Sequence, residues 1–228
     1  MSAFGSFIFT LLLIAAAPAS HAQASTQRAY ALTYIDVLPE AAPQVRELLV
    51  RYLHLSSGAR GCLGGAALQE LGRPERFALI EIWDSEADWR AQRSSPAVLA
   101  LADQLSAFSA GYEDRRLFEA RTAADGEHVD FHAPLQTIAH LDFGLPVPAE
   151  GEQFINDLSA QLRMLPGNLG AAVLRQSEHG NHLSLWVQWQ EESSWRVALG
   201  STLMHKLRTL VGPHLGSPFD ERVYRSLR

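Results

Sequence analysis

The chain repeats itself. Displaced by 106 residues, its second half lies on its first without a gap. Gly61-Cys62-Leu63-Gly64-Gly65-Ala66 meets Gly167-Asn168-Leu169-Gly170-Ala171-Ala172; Trp83, Glu86, Trp89 and Arg90 meet Trp189, Glu192, Trp195 and Arg196; Asp114-Arg115-Arg116-Leu117-Phe118 meets Asp220-Glu221-Arg222-Val223-Tyr224. A unit of this length is too long for a solenoid repeat and suits a small domain. Whatever shape one unit takes, the other must take as well. Positions that agree describe that shape, and positions that differ mark where a site was kept or lost.

Before the first unit runs an apolar stretch, Phe7 to Ala17, broken only by Thr10 and followed by Pro18 and the small-residue sequences Ser20-His21-Ala22 and Ala22-Gln23-Ala24. This is the pattern of a secretory signal peptide over 1–24, cleaved near Ala22 or Ala24, although residues 1–10 lack the usual Lys or Arg. The run is shorter than the about 20 residues a membrane span needs. The expectation is an exported protein, periplasmic or secreted, with no stable membrane association. A net charge of −6 without a Lys/Arg cluster argues against a nucleic-acid partner. Cys62 is alone, so no intrachain disulfide can form, and its counterpart Asn168 shows that the fold needs no thiol there; it reads as a buried small apolar residue.

Within unit one, Tyr30–Leu38 is rich in aromatic and branched residues and reads as a strand. Pro39 and Pro43 frame a helix start, and Val45, Leu48, Leu49, Tyr52 and Leu53 recur at helical spacing over 45–56. Cys62–Leu71 and Arg76–Trp83 read as strands around the turn Gly72-Arg73-Pro74-Glu75. A short helix over 85–92 follows, then a helix opened by Ser95-Pro96, then a strand over Glu113–Glu119. Unit two repeats the order: strand 135–144, helix 149–163, strands 169–177 and 182–189, helices 191–198 and 202–212, strand 219–226. This β-α-β-β-α-β order is the ferredoxin-like arrangement. One such sheet carries helices on one face and leaves the other bare, so two sheets packed together bury both. The fold class is therefore α+β, with unit one at 29–120, a linker at 121–133 and unit two at 134–228.

The order of elements, Gly61-Cys62-Leu63-Gly64 opening the second strand, Trp83 closing the third, and Ala87-Asp88-Trp89 then Ser94-Ser95-Pro96 behind it resemble an antibiotic biosynthesis monooxygenase (ABM) domain of the dimeric α+β barrel superfamily. The resemblance covers 29–120 well, and 134–228 more weakly through Pro166-Gly167-Asn168-Leu169-Gly170 and Trp189. It implies a barrel that two chains usually close, here closed by the halves of one chain as an internal pseudo-dimer, standing as a monomer or pairing further as a homodimer. It also implies cofactor-free oxidation of a small aromatic, phenolic or quinol-type molecule by dioxygen, in a pocket between sheet and helices near the tryptophan that ends the third strand, Trp83 or Trp189. The alternative is a non-catalytic binding protein for a small hydrophobic ligand.

The haem-degrading branch resembles this fold but needs an asparagine on the first strand, a tryptophan near Gln92 or Ala198 and a histidine near Ala102 or Arg208, and neither unit has them. The histidines that many quinone-forming members carry near Gln92 and Ala97 are also absent. The expected catalytic residues are Tyr34, His54 and Trp83, lining one unit-one pocket. The expected substrate-binding residues are Trp89, His140 and Trp189. Tyr34 and His140 occupy the same strand position in the two units, one a phenol and one an imidazole, each able to accept or donate a proton. Asp36 with Asp142 and Arg116 with Arg222 recur and read as salt-bridge or turn residues, while Arg90 and Arg196, which follow paired tryptophans, read either as anion-binding groups or as cation–π partners of those rings. His128-Val129-Asp130-Phe131-His132 and the pair His179 and His182 lack zinc-motif spacing, so neither a metal nor a cofactor is expected.

Overall fold

A computed structural model describes residues 28–120, 129–144 and 149–227. The expected signal segment and residues 121–128 of the expected linker lie outside the described residues. Unit one runs β1 (Ala29–Asp36), α1 (Ala42–Ser57), β2 (Cys62–Glu70), β3 (Arg76–Trp83), α2 (Glu86–Arg93), α3 (Pro96–Ser106) and β4 (Asp114–Ala120). Unit two runs β5 (Leu135–Asp142), α4 (Ala149–Arg163), β6 (Asn168–Gln176), β7 (His182–Trp189), α5 (Glu192–Leu199), α6 (Thr202–Val211) and β8 (Asp220–Ser226).

Local chemistry sets these boundaries. Ser85, Ser95 and Ser201 cap α2, α3 and α6, each hydroxyl accepting from the backbone N–H three residues on. Along α1, Val45, Leu48, Leu49, Tyr52 and Ser56 are buried at three- and four-residue spacing, so one face packs on the sheet. The first strand ends at Asp36 and not at Leu38. Val37 gives its N–H to Glu75 and bridges to Ser109, and Pro39, which has no N–H for a ladder, opens a 3-10 turn over Pro39–Ala41.

The eight strands close into one barrel in the order β1-β3-β2-β8-β5-β7-β6-β4. Each unit supplies four contiguous strands, and two antiparallel seams join them, β2 with β8 (Leu68 opposite Ser226) and β4 with β6 (Phe118 opposite Gln176). Helices pack outside. Alternate residues of each strand therefore face two different apolar layers. On β3, Phe77 and Leu79 face the helices, while Ala78, Ile80 and Ile82 face the barrel interior. An eight-stranded barrel is just wide enough for side chains to fill. Here Tyr30, Leu32, Phe118, Ile138, Trp186 and Tyr224 fill it. Trp186 gives its indole N–H to Gln136 at 2.8 Å, so the ring is satisfied within the barrel.

The described end of the expected linker, 129–133, is packed. Val129 and Phe131 join the interior core, the Asp130 N–H donates to Gln188 at 3.1 Å, and the Phe131 ring lies over Gly64 and beside Trp186.

The glycines shared by the units have a backbone reason. Gly61 (φ 78°) and Gly167 (φ 73°) are in the left-handed region. A Cβ on Gly61 would lie 2.6–2.7 Å from carbons of Asp88, which Ser85 holds in place. Gly72 (φ 85°) shares the backbone conformation but opens onto free space. Gly72→Ala should cost about 1 kcal/mol from the left-handed backbone alone. Gly61→Ala should cost roughly 2–4 kcal/mol, because strain and collision combine. Urea denaturation of both variants checks the order; equal losses would show that Asp88 yields freely.

Candidate functional site

Two polar clusters lie within otherwise apolar layers, one inside the barrel and one outside it. The first crosses the axis that relates the units. Tyr34 on β1 and His140 on β5 both point into the barrel and meet, Tyr34 Oη to His140 Nε2 at 2.5 Å, with the rings edge to face. Ser184 Oγ and Arg116 Nη1 approach His140 Nδ1 at 3.1 and 3.4 Å. Arginine can only donate, so the network assigns a neutral ring with its lone pair on Nδ1 and its proton on Nε2, facing the phenol oxygen. Burial lowers the His140 pKa to about 4, and the Arg116 charge adds to the effect. Burial likewise holds the Tyr34 phenol well above its usual range. Arg116 and Arg222 bracket the Tyr34 ring at 5.8 and 5.1 Å and pair with Asp114 and Asp220 at 2.7 and 2.9 Å. The recurrent arginines therefore do form salt bridges, and also enclose the axial pair.

The second cluster lies between the sheet of unit one and its helices. Glu81 sits on the helix-facing side of β3, in a strand otherwise apolar from Phe77 to Trp83, and is 1% exposed. Tyr52 of α1 donates its hydroxyl across both carboxylate oxygens at 3.0 and 3.2 Å. Burial pushes the Glu81 carboxyl up to about 6; the Tyr52 hydrogen bond, the Arg93 charge and the nearby Ser56 hydroxyl and Trp83 indole hold it from rising further. The same burial and the Glu81 charge push the Tyr52 phenol up. Ser56 Oγ and Trp83 Nε1 are buried without a hydrogen bond of normal geometry, so their help to the carboxylate is electrostatic. A small space adjoins Tyr52, lined with it by Thr33, Leu79, Arg93, Val98 and Glu113; Glu81 lies behind Tyr52 and does not line it. Its volume is about 10 Å³, the room of one water. Arg93 and Glu113, both lining it and partly exposed, pair with each other at 3.8 Å.

Unit two keeps the space and loses the chemistry. A matching space of about 10 Å³ is walled by Ala139, Leu185, Trp189, Ala198, Leu199 and Met204. Tyr52, Ser56, Glu81, Arg93 and Glu113 correspond to Leu158, Leu162, Val187, Leu199 and Phe219. Glu221 borders this space from another strand but is held by Arg208 at 3.5 Å.

The expected site residues are dispersed. Tyr34 and Trp83 lie on opposite faces of one sheet, Tyr34 in the barrel interior and Trp83 in a small outer cluster with Ala29, Ala31 and Trp89. His54 is exposed on α1, while the buried face of that helix is carried by Tyr52 and Ser56. These three residues therefore do not line one pocket, because strand alternation separates the first two and helical periodicity turns the third to solvent. His140 meets Tyr34 in place of serving a pocket of its own unit. Trp189 walls the unit-two space and donates to Thr137 Oγ1 at 3.4 Å. Arg93, not Arg90, stacks on Trp89, at 5.7 Å; Arg90 is taken by Glu86, whereas Arg196 does stack on Trp195, at 5.6 Å. Cys62 is half-buried, not buried, with its thiol pushed up by what burial it has. The sequence signal for Glu81 is a lone carboxylate in an apolar strand, at the position where the other unit carries Val187.

This arrangement defines a fold class, the α+β barrel of paired ferredoxin-like units. The model of the antibiotic biosynthesis monooxygenase family matches residues 28–104, most of unit one. Among solved structures, the chain is similar to a candidate monooxygenase from Fusobacterium nucleatum subsp. nucleatum ATCC 25586 (11% identity, 90% of this chain and 94% of that one, TM-score 0.77). It is similar to another from Lactobacillus acidophilus NCFM (9% identity, 89% and 95%, TM-score 0.66) and to an anthrone oxidase-like protein (13% identity, 90% and 93%, TM-score 0.65). Each is matched over nearly its whole length, so the two-unit barrel in a single chain is shared; at these identities the likeness is one of fold. No curated protein sequence matches the chain.

The two clusters give opposite pH dependences of stability. His140 has a lowered folded pKa, so between its usual 6.5 and about 4 the unfolded chain binds the proton first and stability falls as pH falls. Glu81 has a raised one, so stability falls as pH rises from 4.5 to about 6. The difference in urea stability between wild type and His140→Gln should shrink by about 3 kcal/mol from pH 7 to pH 4. A pH-independent difference would mean that His140 titrates normally.

Proposed function

We propose that unit one is a cofactor-free oxygenase site for a small aromatic molecule bearing an ionisable hydroxyl, a phenol or hydroquinone, with dioxygen as co-substrate. Unit two is its structural counterpart, and the chain is exported, in keeping with its N-terminal apolar run. The observation that carries this reading is the Tyr52–Glu81 pair: a carboxylate 1% exposed, held near pH 6 and bonded to a phenol that itself lines a small space, in the unit that matches the monooxygenase family. A passive apolar ligand site has no use for a buried ionisable carboxylate, which is costly to hold. A general base with a pKa close to working pH is what proton abstraction from a phenol needs.

In this reading Glu81, ionised above about pH 6, takes the hydroxyl proton of the substrate. The aryloxide passes one electron to dioxygen, and the resulting pair combines to form a carbon–oxygen bond as a peroxide. Glu81 returns its proton as the O–O bond breaks and the ring carbon loses its hydrogen. One oxygen atom ends as the quinone carbonyl and the other in water. Tyr52 keeps the carboxylate aimed, and Arg93, which lines the space, opposes the developing negative charge. The space holds about one water as it stands, so the substrate enters as the Arg93–Glu113 pair parts.

Oxygen uptake with a panel of hydroquinones and anthrones tests this. Wild type should turn over at least one, with kcat/KM falling below about pH 6, and Glu81→Gln should lose roughly 10²–10⁴-fold in kcat. Tyr52→Phe removes a hydrogen bond that favours the ionised carboxylate, so it should move the acid limb upward. Uptake no faster than the uncatalysed rate across the panel, or full activity in Glu81→Gln, would overturn the assignment.

A further inference from the structure

The units also differ at the outer wall of the barrel, where α2 and α5 overhang the last strand of their own unit. In unit two, Glu192 at the start of α5 accepts from Arg196 on Oε1 at 2.6 Å and from Arg225 of β8 on Oε2 at 3.3 Å. The Arg225 guanidinium thereby ties helix to strand. In unit one, Glu86 at the start of α2 accepts from Arg90 on Oε1 at 2.5 Å in the same manner. Position 119, the counterpart of Arg225, is a glutamate. Among the described residues neither Glu119 nor Glu86 Oε2 has a hydrogen-bond or ion-pair partner. Where unit two has a bridge, unit one has an open groove of about 380 Å³, floored by Ala29, Leu117 and Phe118 and rimmed by Ser85, Glu86 and Glu119.

We propose that this groove binds a small organic cation, a primary ammonium or guanidinium on a short apolar body, with its charged end placed as the Arg225 guanidinium is placed in unit two. The duplication supplies the occupied reference. The same helix start, the same first carboxylate and the same internal arginine are present in both units, and one exchanged residue turns an internal cation into a second carboxylate. Two carboxylates on facing elements repel, and a cation between them relieves the repulsion with charge-assisted hydrogen bonds. The volume lies within the usual range for small-molecule clefts. The apolar floor gives the ligand body a surface to cover. Arg28, exposed at the rim, is the one cation of the groove without an ion pair among the described residues, and it is the competitor for the same place. The groove shares no lining residue with the Tyr52–Glu81 space, so this inference stands apart from the oxygenase reading.

Calorimetric titration of the full chain with phenethylamine and phenylguanidine, against 2-phenylethanol and phenylacetate as neutral and anionic controls, tests it. The cations should bind at least about tenfold more tightly than the controls, and Glu119→Gln should lose about tenfold of that affinity. Glu119→Arg rebuilds the bridge of unit two; it should abolish binding while keeping or raising Tm, which separates a filled groove from a misfolded chain. Arg28→Ala should bind the cations as tightly or more tightly. No binding of either cation, equal binding of 2-phenylethanol, undiminished binding in Glu119→Arg, or loss of binding in Arg28→Ala would each overturn the proposal.

Discussion

Everything in this molecule depends on two short antiparallel seams. The pairings of β2 with β8 and of β4 with β6 turn two open four-stranded sheets into one closed barrel. Without them each unit would expose a bare apolar face and two unpaired strand edges, and both are aggregation liabilities. With them the interior fills with side chains from both units, and the helices are left to cover only the outside. The candidate chemistry follows from this division. The interior layer is common property of the two units and is packed solid. The outer layer belongs to each unit separately, and there one unit has kept a carboxylate, a phenol and an arginine where the other carries leucine and valine.

The duplication works as an internal control on structure. Gly61 and Gly167 recur because both units need a left-handed turn there, and Arg116 and Arg222 recur because both help enclose the same pair at the axis. Recurrence marks the requirements of the barrel. The candidate chemistry lies where recurrence fails, at Glu81 against Val187, Tyr52 against Leu158 and Glu119 against Arg225. A buried carboxylate that the fold does without in its other half is hard to explain by packing, since replacing buried charge with apolar groups of similar size is often neutral or stabilising.

Much of the architecture was legible in the sequence. The 106-residue period, the alternating strands and the Ser95-Pro96 helix start point to two ferredoxin-like units, and the family resemblance implies a barrel closed within one chain. What could not be read was which residues meet. Strand periodicity places Tyr34 and Trp83 on opposite faces only once their register is known, and a one-residue error in a strand end moves a side chain to the other layer. His54 lay at the border of the α1 stripe, where a single step of helical phase separates pocket from solvent. Tyr34 and His140 are equivalent positions in the repeat, but their contact arises from the packing of one unit against the other, and no local pattern encodes it. Glu81 reads as an outward-facing acidic residue unless both faces of its strand are known to be covered.

The axial pair has a consequence for how the two halves can be rearranged. In a symmetric dimer, a residue beside the two-fold axis meets its own copy. Two copies of unit one would set phenol against phenol there, and two copies of unit two would set imidazole against imidazole. A short phenol–imidazole hydrogen bond across the axis exists only between unlike halves, which a single fused chain supplies in fixed ratio. The fusion is therefore more than a tether. It has allowed the axis to become chemically unsymmetrical, and each half now complements the other better than it would complement itself.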